Sequence, residues 1–355
     1  MSIGRFSVSN NPITRRLAVG LLALAACFGA RQATAADADW KAIEEAASKE
    51  GLVNIYHDFS PTGVQQIIEL FHKRYPAIEV REVRLPSGGF YSRFPAEYVA
   101  GKAEADMCSM AYDDKLLEWQ KDGWYANWTP PEASHLPPTA TIGQGLWEIQ
   151  RSREMIVYNK TKVKAAEAPK EWTDLFDPKW KGRIGMNPPW RSNGPQSVIV
   201  YIQQKFNIAD MALKMKEQDI RFFNGSAGVV QAVIRGDVAV AILTDLPLNM
   251  VLADDPPIGA VYPASGVPSS PFLLFVPAKA KHPNAGRVFS NWIMSEEGQV
   301  AIQDLSGAPA LRVGIPAPKF VPANTSLKLI DVRTLLTPAN QKETVEHWQT
   351  VFGVK

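Results

Sequence analysis

Apolar positions along the chain alternate between two spacings. Leu52-Val53-Asn54-Ile55-Tyr56 is a short unbroken run of strand length, whereas Val64, Ile67, Ile68, Phe71 and Tyr75 recur at helical spacing until Pro76 stops them. Between the two, Asp58-Phe59-Ser60-Pro61-Thr62 offers Ser60 as N-cap and Pro61 as first helical residue. A strand over Ile78 to Arg84 completes a βαβ unit. Pro86-Ser87-Gly88-Gly89 then opens a helix from about Phe90 to Lys102, followed by a strand from Ala105 to Met110 and a helix from Asp113 to Asp122. Ahead of all these, Trp40, Ile43, Ala46 and Ala47 form one helical stripe.

The second half repeats the alternation. Strands are predicted over Met155 to Tyr158, Gly182 to Met186 and Val238 to Leu243, with helices over Trp172 to Phe176 and Val198 to Phe206. Another helix opens at Asn224-Gly225-Ser226, buries Val229, Val230, Val233 and Ile234, and closes at Gly236. Short apolar strands alternating with amphipathic helices predict α/β lobes. Ligands of such lobes settle at the carboxyl ends of strands. The loops there, 57 to 62, 86 to 90, 109 to 112, 190 to 194, 224 to 226 and 244 to 246, are rich in Ser, Thr, Asn and Gly, three from each half.

The first 35 residues change how charge is read. Arg5, Arg15, Arg16 and Arg31 precede or flank the apolar run Leu17 to Ala26, no acid is present, and Ala33-Thr34-Ala35 follows. A basic start, a short apolar middle and a small-residue exit make a secretory signal peptide. The run is too short for a membrane span. Two processing readings stand: release after Ala35, or lipoprotein cleavage at Leu24-Ala25-Ala26-Cys27 with acylation of Cys27. The pair Arg15-Arg16 hints at twin-arginine export, although the following residues match that signal poorly.

Without the leader's four arginines, 34 of the 38 basic side chains remain against 36 acidic ones. A near-neutral chain with no Lys/Arg run carries no footprint for nucleic acid. Cys108, in an apolar-leaning strand, is read as a small buried residue and cannot staple the fold alone. The five histidines, at 57, 72, 135, 282 and 347, show no metal-binding spacing, so no metal site is assigned. A secreted hydrolase is the rival class. Asn224-Gly225-Ser226-Ala227-Gly228 lacks the glycine two places before serine that a nucleophile elbow requires, and Gly143-Gln144-Gly145 fails as a phosphate loop. The chain is therefore read as no enzyme and without a cofactor.

Three passages carry a resemblance. They are Asp177-Pro178-Lys179-Trp180-Lys181-Gly182-Arg183-Ile184, the capped helix and strand of Gly225 to Ala241, and Ala278-Lys279-Ala280-Lys281-His282-Pro283-Asn284-Ala285 with Phe289, Trp292-Ile293 and Ser295-Glu296-Glu297-Gly298-Gln299. Together they resemble the type-2 periplasmic solute-binding proteins of ATP-binding-cassette importers, in the branch of ferric-ion, thiamine, polyamine, phosphonate and sugar-phosphate binders. The resemblance implies a two-lobed α/β fold with a ligand cleft, a hinge of two crossings near Glu148 to Met155 and Ala260 to Pro271, closure on the ligand, a membrane permease as partner and a monomeric periplasmic protein. The corresponding division is a signal peptide over 1–35, lobe 1 over 36–147 and 261–320, lobe 2 over 148–260, and a C-terminal helical segment over 321–355.

Ferric-ion relatives hold iron on two adjacent tyrosines where this chain has Thr244-Asp245-Leu246-Pro247, and their first-loop histidine is replaced around Ser60. The iron ligands are therefore not carried over, and a ferric or metal-chelate ligand stays as the alternative. The candidate binding residues are Asp58, Ser60, Thr62, Ser87, Ser109 and Tyr112 from the first half, with Trp190, Arg191, Ser192, Asn193, Ser226 and Asp245 from the second. Helix N-termini at Ser60, Ser192-Asn193 and Ser226, with the Arg191 fork, suit an anionic head group. Asp58 and Asp245 suit a cation, so a zwitterion or hydroxylated anion satisfies both. At each single position, a serine or asparagine capping its own helix is an equal alternative. Arg151 and Arg153, beside the first crossing, are read as solvated hinge arginines within reach of the cleft.

Overall fold

The structure is a computed structural model that describes residues 39–59, 63–191, 193–251, 255–319 and 321–354, with Ser87 described by its backbone alone. The leader, including Cys27 and Ala35, lies outside these residues, as do Ser60, Thr62 and Ser192. Among the described residues no helix is long and apolar enough to cross a membrane.

Helix α1 spans 39–50 and lays Trp40, Ile43 and Ala47 on a core shared with later helices. It is followed by β1 (Leu52–His57), α2 (Val64–Arg74), β2 (Glu79–Arg84), α3 (Ser87–Val99), β3 (Met107–Ala111) and α4 (Lys115–Lys121). β1 runs parallel to both β2 and β3. This is the arrangement expected of the alternating apolar strands and helices. On one face α3 and α4 pack an aromatic core in which Phe94 touches Tyr98, Trp119 and Phe275, and Trp119 stacks on Trp124. On the other, Phe71 of α2 meets Phe289 and Trp292 from the returning chain.

A short β4 (Thr141–Gly143) leads into β5 (Leu146–Asn159), a strand of 14 residues that belongs to both lobes. Its first part, to Arg153, pairs antiparallel with β10 (Val267–Phe275). From Glu154 onward it pairs instead with β8 (Val240–Thr244) and β9 (Ile258–Val261). The second lobe adds β6 (Ile184–Met186), α5 (Asn193–Phe206), α6 (Met211–Glu217), β7 (Arg221–Phe222), α7 (Ser226–Arg235) and α8 (Leu246–Asn249). β6 lies parallel between β7 and β8. α7 ends as its periodicity requires, on Gly236 at φ 77°, where an L side chain would be strained.

After β10 the chain returns to the first lobe through α9 (Pro283–Met294) and α10 (Glu296–Ser306). It then crosses once more. β11 (Leu329–Asp331) pairs with the start of β10, and α11 (Pro338–Phe352) packs on the second lobe through Trp348 and Phe352 against Phe222. The stretch from 321 is thus a strand followed by a helix, and it supplies a third crossing beside β5 and β9–β10.

Arg151 and Arg153 are buried at this junction, not solvated. A register shift in the β5–β10 pairing opposes Glu148 and Gln150 to the adjacent Leu273 and Phe272, making Ile149 the extra residue of a bulge. Strand alternation would otherwise put residues three apart on opposite faces. With the bulge, Arg151 grips Glu148 through Nε and Nη2 and reaches Asp331 at 3.2 Å. Arg153 pairs with Asp245 and donates from Nη1 to the Pro322 carbonyl at 2.7 Å. Both arginines therefore tie the hinge strand to the third crossing.

Candidate functional site

A cleft of about 560 Å³ opens where β3 and β10 of the first lobe, β5 of the hinge, and β8 and α5 of the second lobe converge. Strand alternation along β5 selects its floor. Ser152 and Glu154 face the cleft, while Arg151 faces a separate cavity of about 510 Å³ on the reverse side, whose charges Glu148, Arg151, Asp331 and Arg333 are paired with one another. Ser270 and Phe272 of β10 extend the floor.

The first-lobe wall comes from the start of α3, which presents Gly88, Tyr91 and Ser92, and from the loop after β3. That loop is held from below. The Asp58 carboxylate accepts the Ala111 N–H at 2.9 Å, and Tyr91 donates to the Ala111 carbonyl at 2.7 Å. Burial raises the Asp58 pKa to about 7, and its second oxygen, Oδ1, is buried without a hydrogen bond. Tyr112 lines the cleft with its hydroxyl on Asp114 at 2.5 Å, and Lys115 stands over the Tyr91 ring.

The second-lobe wall is the N-terminal turn of α5 with Thr244 at the end of β8 and Leu246 just beyond it. Arg191 is exposed here, donating to Asn224 at 3.0 Å, beside Asn193 and Gly194. Gly194 is where two parts of the wall meet most closely: a Cβ on it would stand 2.4 Å from Glu154 Oε1. Glu154 is only 4% exposed. Burial, with the nearby Asp245 charge, pushes its pKa up to about 8, and the Thr244 hydroxyl offsets part of this.

Of the residues singled out in the sequence, Tyr112, Arg191 and Asn193 are brought together in this cleft, with Asp58 directly beneath its loop. Ser109 is fully buried within β3, its hydroxyl without a hydrogen bond. Trp190 turns away to pack edge-on against Phe222, and Ser226 Oγ accepts from Asn187 Nδ2 at 2.8 Å. Asp245 is fully buried on Arg153 and does not line the cleft. Ser87 starts α3, where its neighbour Gly88 reaches the cleft.

Sequence reasoning missed Ser152, Glu154 and Ser270 from the strands, and Tyr91, Ser92, Asp113 and Lys115 from the first lobe, whereas Thr244 lies in the loop segment 244 to 246 that it singled out. One signal was present. Glu154 is a carboxylate set directly against the apolar run Met155-Ile156-Val157, a position where burial is the default and a charge asks for a reason.

The profile described as bacterial extracellular solute-binding protein matches residues 136–333. The chain is 26% identical over 235 residues to an Fe(3+)-binding periplasmic protein of Serratia marcescens, covering 60% of this chain and 65% of that protein, just under two thirds of its length. It is 24% identical over 298 residues to a periplasmic protein of Salmonella typhimurium named for 2-aminoethylphosphonate binding, covering 78% and 84%. Among solved structures, iron-bound HitA from Pseudomonas aeruginosa superposes with a TM-score of 0.71 at 20% identity, over 84% of this chain and 99% of that one. AfuA from Actinobacillus pleuropneumoniae, with fructose-6-phosphate bound, gives 0.71 at 17% identity, over 86% and 99%. At these identities the structures share the fold.

Proposed function

The chain belongs to the bacterial extracellular solute-binding proteins, and from that premise we propose that it captures a small organic anion or zwitterion between its lobes and presents it to an ATP-binding-cassette importer. The observation that carries this reading is the composition of the cleft. Both lobes and the hinge strand contribute polar groups to one space, with Arg191, Lys115 and the first turn of α5 offering positive charge and N–H donors to an anion. Asp58, Tyr112, Arg191 and Asn193 are proposed as ligand-binding or ligand-supporting residues, and Glu154 and Ser152 are added to them. Ser60, Thr62, Ser87 and Ser192 remain proposals from the sequence alone.

Capture by closure follows from the connections. β5, β9–β10 and the segment running into β11 join the lobes, so a rotation of one lobe on the other carries Arg191 and Asn193 toward Tyr112 and Lys115. A periplasmic location is supported by the names of the relatives and by the signal-peptide pattern, and a permease partner by membership of the solute-binding family. The tyrosine pair that the resemblance gives for ferric-ion binders would fall at the end of β8. Thr244 and Asp245 stand there instead, and Asp245 is already engaged by Arg153.

Thermal-shift screening of residues 36–355 tests the proposal, with phosphonates, phosphate esters, carboxylates, amino acids, polyamines and ferric citrate. A ligand at 100 times its Kd adds about 2.7 kcal/mol to native stability. A rise with an organic anion that Arg191→Ala abolishes supports the reading. A rise with ferric citrate or polyamines alone refutes it.

A further inference from the structure

Glu154 stands apart from the other buried charges of the hinge. Glu148, Arg151, Arg153 and Asp245, with the half-buried Asp331, all have ion-pair partners within the chain, whereas no cation pairs with Glu154 among the described residues. It is also the charge that β5 turns toward the cleft, with its carboxylate against Gly194, where the absence of a side chain leaves it room. A buried carboxylate with no charge partner is costly, and such groups are kept where a partner arrives from outside.

We infer that Glu154 pairs with a cationic nitrogen of the ligand, so that the cleft selects solutes carrying an ammonium group a short distance from their anionic head. The inference rests on the anion-capturing reading of the same cleft and adds its second recognition element.

The surroundings of Glu154 decide the sign. Behind it, Asp245 and Arg153 neutralise each other. Arg191 comes from the α5 side, and Asp113, Lys115, Tyr91 and Tyr112 face it from the first lobe. Arg191 and Lys115 serve the anionic end of a zwitterion, and Glu154, on the hinge floor, serves the other end. In the free protein burial holds Glu154 largely protonated near neutrality. Pairing with an ammonium requires the carboxylate, so the Glu154 O–H proton passes to solvent when the ligand binds. Binding therefore releases a proton and strengthens as pH rises through the range in which Glu154 titrates.

The test is isothermal titration of the wild type and Glu154→Gln with matched pairs: 2-aminoethylphosphonate and ethylphosphonate, β-alanine and propionate, taurine and ethanesulfonate. The expected result is at least tenfold tighter binding of one aminated member than of its amine-free partner, narrowing to under threefold in Glu154→Gln. Wild-type affinity for that member should rise between pH 6 and 8, with proton release read from two buffers of different ionisation heat. An amine-free anion that binds as tightly as its partner, or an affinity that falls over this pH range, overturns the role of Glu154 and leaves anion capture standing. No binding by any member overturns the role of Glu154, and a thermal-shift screen in which no organic anion raises the melting temperature overturns anion capture as well. The wild-type pH profile, read with β-alanine or taurine, whose acid groups stay ionised across this range, decides the matter even if the variant fails to fold.

Discussion

Arg153 and Asp245 form a fully buried ion pair in which Nε donates to Oδ2 at 2.5 Å and the Arg153 backbone N–H donates to Oδ1 at 3.0 Å. The pair joins the hinge strand to the end of β8, and the same guanidinium reaches the Pro322 carbonyl of the third crossing. Arg153 also lies over the Tyr262 ring. Removing one member of such a pair leaves an uncompensated buried charge, at a cost of about 3–5 kcal/mol. Asp245→Leu should therefore lower the unfolding free energy in urea by about that amount. The double replacement Arg153→Met with Asp245→Leu should recover most of the loss; a double variant no more stable than the single one would show that the pair does not act as a unit.

Stability without ligand should fall as pH rises from about 4.5 to 8, in the part contributed by Glu154. A carboxyl whose folded pKa is raised binds its proton more tightly when folded, so its penalty is absent below the ordinary value of 4.5 and is complete above about 8. One group contributes a slope of at most about 1.4 kcal/mol per pH unit. Asp58 acts in the same direction, levelling off above about 7. Urea melts across this range should show Glu154→Gln gaining on the wild type with each step in pH. A constant difference would mean that Glu154 is ionised throughout.

Gly194→Ala should weaken ligand binding by more than tenfold while leaving the melting temperature within a few degrees. The new methyl would occupy the space of Glu154 Oε1, 2.4 Å away, and the end of the glutamate would swing aside. Alanine favours the helix that begins here, which offsets part of the strain. Calorimetric melting alongside titration separates the two effects. An unchanged affinity would place the ligand away from this corner.

Much of the fold was legible because its elements follow local pattern. β1, α2, α7 and β8 are either unbroken apolar runs or clean helical stripes, and each lies within a few residues of its expected span. β5 is legible only at Met155 to Tyr158, since its first half, Glu148-Ile149-Gln150-Arg151-Ser152-Arg153, has the composition of a solvated connection. It is buried because Asp331 and Asp245, 180 and 92 residues distant in the chain, neutralise its arginines. No local window contains those partners. The same holds for the site: loop serines and asparagines read as helix caps or ligands with equal ease, and Ser226 turned to Asn187. The hinge residues Ser152 and Glu154 reach the cleft only through the bulge and strand alternation of β5.

Small-angle scattering of residues 36–355, free and saturated with a solute that raises the melting temperature, tests capture between the lobes most directly. The structure predicts a smaller radius of gyration in the bound state as the second lobe swings Arg191 toward Tyr112 and Lys115. Identical curves at proven saturation would contradict closure on the ligand and place the binding site on one lobe alone.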